Sequence, residues 1–381
     1  DLMDEIAVIS DNAIKLNRSG YLLASRNNTI DDVYGLDQNL IREYSDKSIS
    51  KYSNSLDTLW SEVPDAIDVL QNRAHIQQLY PHLSSEISSL IHIRKAGDLD
   101  GQALGQFMLQ AVKTSGAAKL RYKVTDIQHS NGFQIALSDA QQTQSLHADY
   151  VINAAGPFAH QIANMLGQEL PLENLYQQKI LFADEVNAVP RTQPFVIDID
   201  KQHLDWTEEE RALLEQDPDS IWLTREIGGS VHCRPEGGDK ANWVKLGWAY
   251  NTRPSEPAED LMNDTAFDPS FPEIVIRGAS NLNPALKHYL DKMPSKMTHY
   301  GGYYCMTEEN WPLIGPLGVE NAFVVGALSG FGTMAACAAG ELCANWVLNA
   351  DLADYAKDLS LYRYSDEKLM KNIRTANKGV L

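Results

Sequence analysis

A glycine-rich turn near the C-terminus carries the residues best suited to chemistry. It follows a short apolar run, Phe323–Val325, which is typical of a parallel strand covered on both faces. Gly326, Gly330 and Gly332 allow the backbone to approach a flat or phosphorylated group closely. A helix of small residues then begins at Thr333, and the free N–H groups of its first turn can stabilise negative charge on a bound group. The segment therefore predicts a binding turn between a buried strand and a helix.

Two further segments belong with this turn. Residues 301–315 read Gly-Gly-Tyr-Tyr-Cys-Met-Thr-Glu-Glu-Asn-Trp-Pro-Leu-Ile-Gly, and residues 149–159 read Asp-Tyr-Val-Ile-Asn-Ala-Ala-Gly-Pro-Phe-Ala. Together the three segments resemble the signature of the D-amino-acid oxidase, sarcosine oxidase and glycine oxidase superfamily. In that family a strand ending in Asn-Ala-Ala-Gly lies against the ADP half of FAD. A glycine-aromatic segment and the flavin turn follow it in the order seen here.

The resemblance implies that FAD is bound, and bound without a covalent link. Aligned on Thr307, the cysteine that attaches FAD in some relatives falls on Gly302, so Cys305 is expected to be a small buried strand residue. Val124 matches a valine whose backbone meets the adenine, although a plain buried strand valine is an equal interpretation. The residues expected to contact FAD are Val124, Ala154, Ala155, Gly156, Gly302, Gly326, Ser329, Gly330, Phe331, Gly332, Thr333 and Met334.

The candidate substrate residues differ from those of a simple amino-acid oxidase. Glycine oxidase-like relatives place a carboxylate-binding arginine at the position of Tyr304. An arginine binds a carboxylate through two parallel hydrogen bonds, whereas a tyrosine hydroxyl offers one donor. A tyrosine at this position resembles the pattern of the sarcosine, dimethylglycine and proline dehydrogenase-like branch of the family. We therefore predict that Tyr304, Tyr303 and Arg234 act at the substrate site; Arg225 and Arg253 are alternative carboxylate ligands, and each arginine also fits an ordinary surface position.

Four aromatic residues form a second candidate feature. Trp222, Trp243, Trp248 and Tyr250 cluster in the sequence between residues 220 and 250. They are able to form an aromatic cage over a cationic amine. Ordinary sheet core is the interpretation we favour for them. The histidines show no metal-binding spacing, so no metal site is predicted.

The resemblance leads to three functional hypotheses. The first is FAD-dependent oxidation of a C–N bond in a secondary amine or amino acid, by an enzyme like sarcosine, dimethylglycine or proline dehydrogenase. The second is a FAD-dependent 2-hydroxy-acid dehydrogenase, since the same fold oxidises C–OH bonds. The third is a non-catalytic scaffold or assembly factor. Oxidases and dehydrogenases share these motifs, so the electron acceptor stays open.

The family's dinucleotide turn is the feature that motivates the third hypothesis. The resemblance predicts a strand, a Gly-x-Gly-x-x-Gly turn and a helix at the start of the FAD domain. No such glycine pattern occurs before Gly97. We expect the natural protein to carry this unit before Asp1.

Composition narrows the classes of partner. The chain has 381 residues, 44% of them hydrophobic, and 32 basic against 51 acidic residues give a net charge of −19. This charge disfavours nucleic acids and anionic membranes as partners. The partner that the resemblance implies is a small-molecule amine or amino acid. Four cysteines without a C-x-x-C pair indicate a reducing, cytoplasmic location. No apolar run approaches the roughly 20 residues of a membrane span.

The fold class predicted is α/β (α+β), with a Rossmann-like FAD domain and a mostly antiparallel substrate domain. The FAD domain is expected to comprise residues 94–164 and 300–350 with part of 1–30. The substrate domain is expected to comprise residues 31–93, a helical insert, and 165–299. Residues 351–381 are expected to form a polar tail. Residues 31–93 are expected to be mostly helical. Predicted helices lie in 1–18, 102–114, 333–347 and 366–378, and predicted strands at 19–25, 119–125, 132–138, 151–154, 179–183, 195–198, 220–225, 230–234, 243–250 and 323–325.

Overall fold

The computed structural model describes residues 2–27, 37–53, 58–238, 240–258 and 267–375. Its strands are β1 Tyr21–Ser25, β2 Ile41–Tyr44, β3 Ile67–Leu70, β4 Ser89–Ile93, β5 Lys123–His129, β6 Phe133–Ser138, β7 Thr143–Ala148, β8 Val151–Asn153, β9 Glu173–Ala183, β10 Phe195–Asp198, β11 Val231–Glu236, β12 Trp243–Gly247, β13 Met297–Met306, β14 Leu313–Pro316 and β15 Ala322–Gly326. Its α-helices are α1 Leu2–Ile9, α2 Arg73–Leu79, α3 Gly101–Thr114, α4 Ala159–Met165, α5 Glu208–Gln216, α6 Phe271–Ser280, α7 His288–Asp291, α8 Gly332–Leu348 and α9 Glu367–Thr375.

The largest sheet has nine strands in the order β13-β9-β12-β11-β10-β1-β4-β3-β2. Only the β1–β10 and β2–β3 pairs are parallel, so the sheet is mostly antiparallel as predicted. Alternate residues of each strand point to opposite faces. One face packs against α6 and forms the largest core, in which Ile180, Phe182 and Trp248 are almost fully buried. The mixed α/β class is confirmed.

A three-stranded sheet, β14-β15-β8, joins the segments that carry the family signature. β8 and β15 pair in parallel, with Ala322 opposite Val151 and Val324 opposite Asn153. These strands correspond to the predicted strands 151–154 and 323–325, and they are direct neighbours in the sheet. Beside them, β5, β6 and β7 form an antiparallel sheet that packs on α4. β7 has no counterpart among the predicted strands.

The prediction that 31–93 is mostly helical is wrong for the described part of that range. β2, β3 and β4 lie there, and α2 is the only α-helix. β3 and β4 consist largely of buried apolar and β-branched residues that pair with each other and with β1, so sheet pairing outweighs the polar composition. Residues 31–36 and 54–57 lie outside the described residues.

One predicted strand is also corrected. Residues 220–225 do not form a strand: a short 3₁₀ helix, Ile221–Thr224, follows a turn in which the Asp217 carboxylate accepts hydrogen bonds from Asp219 N–H and the Ser220 hydroxyl. Within 1–30, α1 packs against α8, whereas β1 pairs within the nine-stranded sheet. In the described part of the C-terminal segment, α9 lies within the predicted helix 366–378, and Arg363 is buried. The domain division itself stays a prediction.

Two buried histidines are expected to make the free energy of unfolding depend on pH. Burial is the main cause that lowers the pKa of His92 and of His232 to about 3, from an ordinary value of 6.5. The unfolded chain therefore binds more protons than the folded one below pH 6.5, so stability is present above that pH and is lost as the pH falls toward 3. From pH 7 to 5 we expect a loss on the order of 1–2 kcal/mol per histidine in urea unfolding.

A variant separates this effect from general acid sensitivity. His92→Gln should flatten the pH dependence, whereas His203→Gln should not, because His203 is exposed. An unchanged slope in His92→Gln would contradict the assignment.

Across the described ranges, no helix is long and apolar enough to cross a membrane, and no cluster of His, Cys, Asp or Glu is arranged to hold a metal ion. All four cysteines are free thiols.

Candidate functional site

The turn after β8 is held by a buried asparagine. Asn153, which is 2% exposed, donates from its side-chain amide to the Ala159 carbonyl at 2.8 Å and accepts from the Ala155 N–H at 3.3 Å. These bonds fix the predicted residues Ala154, Ala155 and Gly156 between β8 and α4. Gly156 has a φ of +56°, and a side chain there would meet nothing within 4 Å. The asparagine of the Asn-Ala-Ala-Gly motif thus shapes a turn that borders open space.

The second predicted turn joins β15 to α8. Ala327 and Ser329 adopt left-handed backbone angles, φ 54° and 51°, which are uncommon for residues with a side chain. A single 3₁₀ turn, Ser329–Phe331, leads into α8, whose N-terminus has no side-chain cap. The first-turn N–H groups of α8 are therefore available to an acceptor. Thr333 and Met334, both predicted to contact FAD, are exposed at this end.

β13 passes both turns, because its Cα atoms approach those of 156–158 and of 329–331 within 8 Å. Tyr303 and Tyr304 point to opposite faces of the strand. The Tyr303 hydroxyl donates to the Glu256 carbonyl and accepts from the Ala258 N–H, and its ring lies 5.1 Å from that of Tyr176. Tyr303 is thereby held on the face that carries α6. Tyr304 lies on the other face, where burial raises the pKa of its hydroxyl.

The two glycines of β13, Gly301 and Gly302, also lie on opposite faces of the strand. A Cβ on Gly301 would come within 2.5 Å of the Tyr176 ring, so only glycine fits there. A Cβ on Gly302 would meet nothing within 4 Å, and the same holds for Gly326 at the end of β15. Gly156, Gly302 and Gly326 therefore border space that a flat ring system is able to fill. This open space is compatible with a flat group at these glycines, and their contact with FAD stays a prediction.

The remaining predicted residues are placed as follows. Val124 lies in β5 at a β-bulge and packs on the core beneath β8 and β15. Cys305 is buried in that core, on the opposite side of β13 from Gly302, and burial raises the pKa of its thiol. Arg234 lies between two carboxylates, 2.6 Å from Asp98 and 2.8 Å from Glu236. Its charge is thus already neutralised within the protein.

Three of the four aromatic residues come together on the α6 side. The ring centroids of Trp222 and Trp248 each lie 5.3 Å from that of Tyr250, and these rings border a cavity of about 560 Å³. Arg253 also borders this cavity, whereas Arg225 is exposed elsewhere. Trp243 lies apart, because its position in β12 puts it on the other face. The aromatic rings of this cavity therefore lie on the opposite face of the sheet from Gly302 and Tyr304.

Sequence reasoning missed the buried support of this site. Thr307 donates to the Trp311 carbonyl at 2.9 Å and accepts from the Trp311 N–H at 3.1 Å, which closes the turn between β13 and β14. In the same turn Glu309 pairs with Arg363 at 2.6 Å, and both side chains are at most 1% exposed. Burial alone would raise the pKa of Glu309, but hydrogen bonds from Tyr364 and Arg363 hold it below its ordinary value. No local pattern signals this pair, because its two residues lie 54 positions apart in the sequence.

These features agree with a family-level comparison. Residues 4–346 match the model of the family described as "FAD dependent oxidoreductase" (DAO). The chain belongs to this family, and FAD is the cofactor of that family. The resemblance drawn from the three sequence segments is therefore confirmed.

Individual relatives are more distant. The chain is 24% identical over 286 residues to dimethylglycine dehydrogenase, mitochondrial, of Homo sapiens; the match covers 72% of this chain and 29% of that protein. The chain thus spans less than a third of that relative's length. One similar solved structure is glycine oxidase from Geobacillus kaustophilus, with a TM-score of 0.62, 16% identity and coverage of 95% of this chain and 80% of that one. Another is iminodiacetate oxidase from Chelativorans sp. BNC1, with a TM-score of 0.63, 18% identity and coverage of 94% of this chain and 80% of that one. L-proline dehydrogenase from P. horikoshii has a TM-score of 0.61 and 16% identity, and the match covers 95% of this chain and 81% of that one. These similarities establish the fold.

Proposed function

We propose that this protein is a FAD-dependent oxidoreductase that oxidises a C–N bond of a secondary amine or amino acid. The observation that carries the proposal is the open face of β13 at Gly302 and Tyr304, beside both cofactor turns. It is supported by family membership and by the sequence similarity to a protein named dimethylglycine dehydrogenase. Four unpaired cysteines support a reducing, cytoplasmic location.

The residues of the two turns would hold FAD without a covalent bond. The uncapped N–H groups at the start of α8 would stabilise negative charge on the flavin, and Gly302 would allow the ring to approach β13. A thiol link is not expected, because Cys305 faces the core on the other side of the strand. When bound, FAD supplies the acceptor for a hydride from the carbon next to the substrate nitrogen. The protein's part is to orient that carbon and to exclude water.

The test is anaerobic reduction of the purified protein. We expect N-methyl amino acids or proline analogues to bleach the flavin absorption, because loss of hydride from carbon yields an imine that water hydrolyses. Bleaching by 2-hydroxy acids alone would support the alcohol-oxidising alternative. A colourless protein that takes up no FAD would support the scaffold hypothesis and contradict the proposal.

A further inference from the structure

The face of the large sheet that carries Gly302 and Tyr304 also holds a lysine without a partner. Lys179 lies in β9 directly opposite Tyr300 of β13 and opposite Gly247 of β12. Directly opposed residues point to the same face, and Gly302 is two residues from Tyr300, about 7 Å along the strand. Among the residues that the structure describes, the Lys179 ammonium has no hydrogen bond or ion pair, although the side chain is largely removed from solvent.

Its surroundings are positively charged. Burial, followed by the nearby charges of Lys245 and Arg234, lowers the pKa of Lys179 to about 8. Lys245 and Arg234 are each paired with Glu236 at 2.8 Å, and Arg234 also with Asp98. The carboxylates of the cluster are therefore engaged by the other two cations. A buried ammonium without a counter-ion is costly, and an anionic ligand removes that cost.

A second unpaired polar atom lies one strand away. His232 of β11 is opposite Gly247, and its Nδ1 lies 2.9 Å from the Ser230 carbonyl. A carbonyl only accepts, so Nδ1 carries the proton and Nε2 is a bare acceptor. Nε2 is buried and has no hydrogen-bond partner within the described part of the chain, and His232 is 5% exposed.

Gly247 explains how the two atoms come to share one space. A Cβ on Gly247 would lie 2.4 Å from His232 Nε2, so the imidazole leans over β12 toward β9. Because Gly247 has no side chain, the imidazole of His232 occupies the space above it, in the same row of the sheet as Lys179. The charge of Lys179 is, after burial, the largest influence on the pKa of His232, which agrees with this proximity. A donor and an acceptor that have no hydrogen-bond partner among the described residues thus lie close together on this face.

We propose that Lys179 and His232 form the substrate subsite for a secondary amino acid: the Lys179 ammonium donates to the substrate carboxylate, and His232 Nε2 accepts the substrate N–H. This inference rests on the proposed function and names its substrate class. Lysine takes the place of the arginine that is missing at Tyr304. A neutral secondary amine has one N–H for His232, whereas a neutral tertiary amine has none. The subsite therefore favours N-methylglycine over N,N-dimethylglycine.

The first experiment measures the reactivity of Lys179 in the natural protein, without reference to catalysis. Trace acetylation at pH 8, read by peptide mass spectrometry, should be slowed severalfold at Lys179 by N-methylglycine. N-methylglycinamide, which lacks the carboxylate, should not slow it, and exposed Lys292 should react equally in all samples. Equal protection by both ligands, or by neither, would overturn the carboxylate assignment.

The second experiment uses variants in anaerobic flavin reduction. Lys179→Met should raise the half-saturating concentration of N-methylglycine by about tenfold to 100-fold, the range of a charge-assisted hydrogen bond, with a smaller change in limiting rate. Lys179→Arg should recover part of the affinity, and Lys292→Met should match the wild type. A Lys179→Met variant with altered flavin content and unchanged half-saturation would place Lys179 on the cofactor and overturn the proposal.

The outcomes separate the subsite from the reaction. Protection of Lys179 without flavin reduction by any amine would retain the subsite and refute the proposed function. Flavin reduction by amines without protection of Lys179 would refute the subsite and retain the proposed function. Absence of both would overturn both.

Discussion

Replacing Arg363 with methionine should lower the free energy of unfolding by about 3–5 kcal/mol, because it leaves a buried carboxylate without its counter-ion. Arg363 donates through Nε to Glu309 at 2.7 Å and through one terminal nitrogen to the Pro312 carbonyl at 2.7 Å. It connects the turn after β13 to the segment that precedes α9. Urea unfolding at neutral pH measures the loss.

The control is a solvent-exposed ion pair in the same region. Glu308 and Arg374 lie 3.6 Å apart, and both side chains are more than half exposed. Arg374→Met should leave the unfolding midpoint unchanged, since exposed pairs contribute little. The double variant Glu309→Met/Arg363→Met should be less destabilised than the sum of its single variants. Equal effects of Arg363→Met and Arg374→Met would show that the buried pair has no special role.

Gly302→Leu should abolish most FAD binding without destabilising the fold. The leucine would project into the space beside β13 that we assign to the flavin, where it meets no protein atom within 4 Å at Cβ. We expect the purified variant to retain less than about a tenth of the wild-type flavin, and any flavin retained to be reduced on the order of 100-fold more slowly because the ring is displaced. Flavin absorption per protein and urea unfolding give the two readouts.

The neighbouring glycine provides a matched contrast. Gly301→Ala places a methyl group within 2.5 Å of the Tyr176 ring, so it should lower stability through overpacking, typically by about 1–3 kcal/mol. The two variants thus separate cofactor space from core space on a single strand. A Gly302→Leu protein with full flavin content would show that the ring does not lie there.

The two turns that we assign to the cofactor were predictable as turns because their determinants are local. Asn153 bonds to residues at most six positions away, and the glycines of the second turn lie within one short segment. The strand at Phe195–Asp198 was predicted with its observed bounds, because a compact apolar run between turn residues specifies a buried strand.

The substrate face was not predictable in the same way. Lys179, His232 and Gly247 meet through pairing of three strands, and no local pattern specifies that register. Lys179 alone resembles any other lysine in the sequence. The Glu309–Arg363 pair likewise joins residues 54 positions apart. Tyr303 and Tyr304 show the limit most simply, because the β-strand sends two adjacent tyrosines to opposite faces.

The most direct test of the central claim is a crystal structure of the natural protein with FAD and N-methylglycine. The crystals are grown anaerobically and without an electron acceptor, so that reduced flavin is not reoxidised. The account predicts that the flavin ring lies against Gly302 on the Tyr304 face of β13. The ligand carboxylate should lie within hydrogen-bond distance of Lys179, and its nitrogen within reach of His232 Nε2. A ring bound on the Tyr303 face, or a ligand in the aromatic cavity beside Tyr250, would contradict the account.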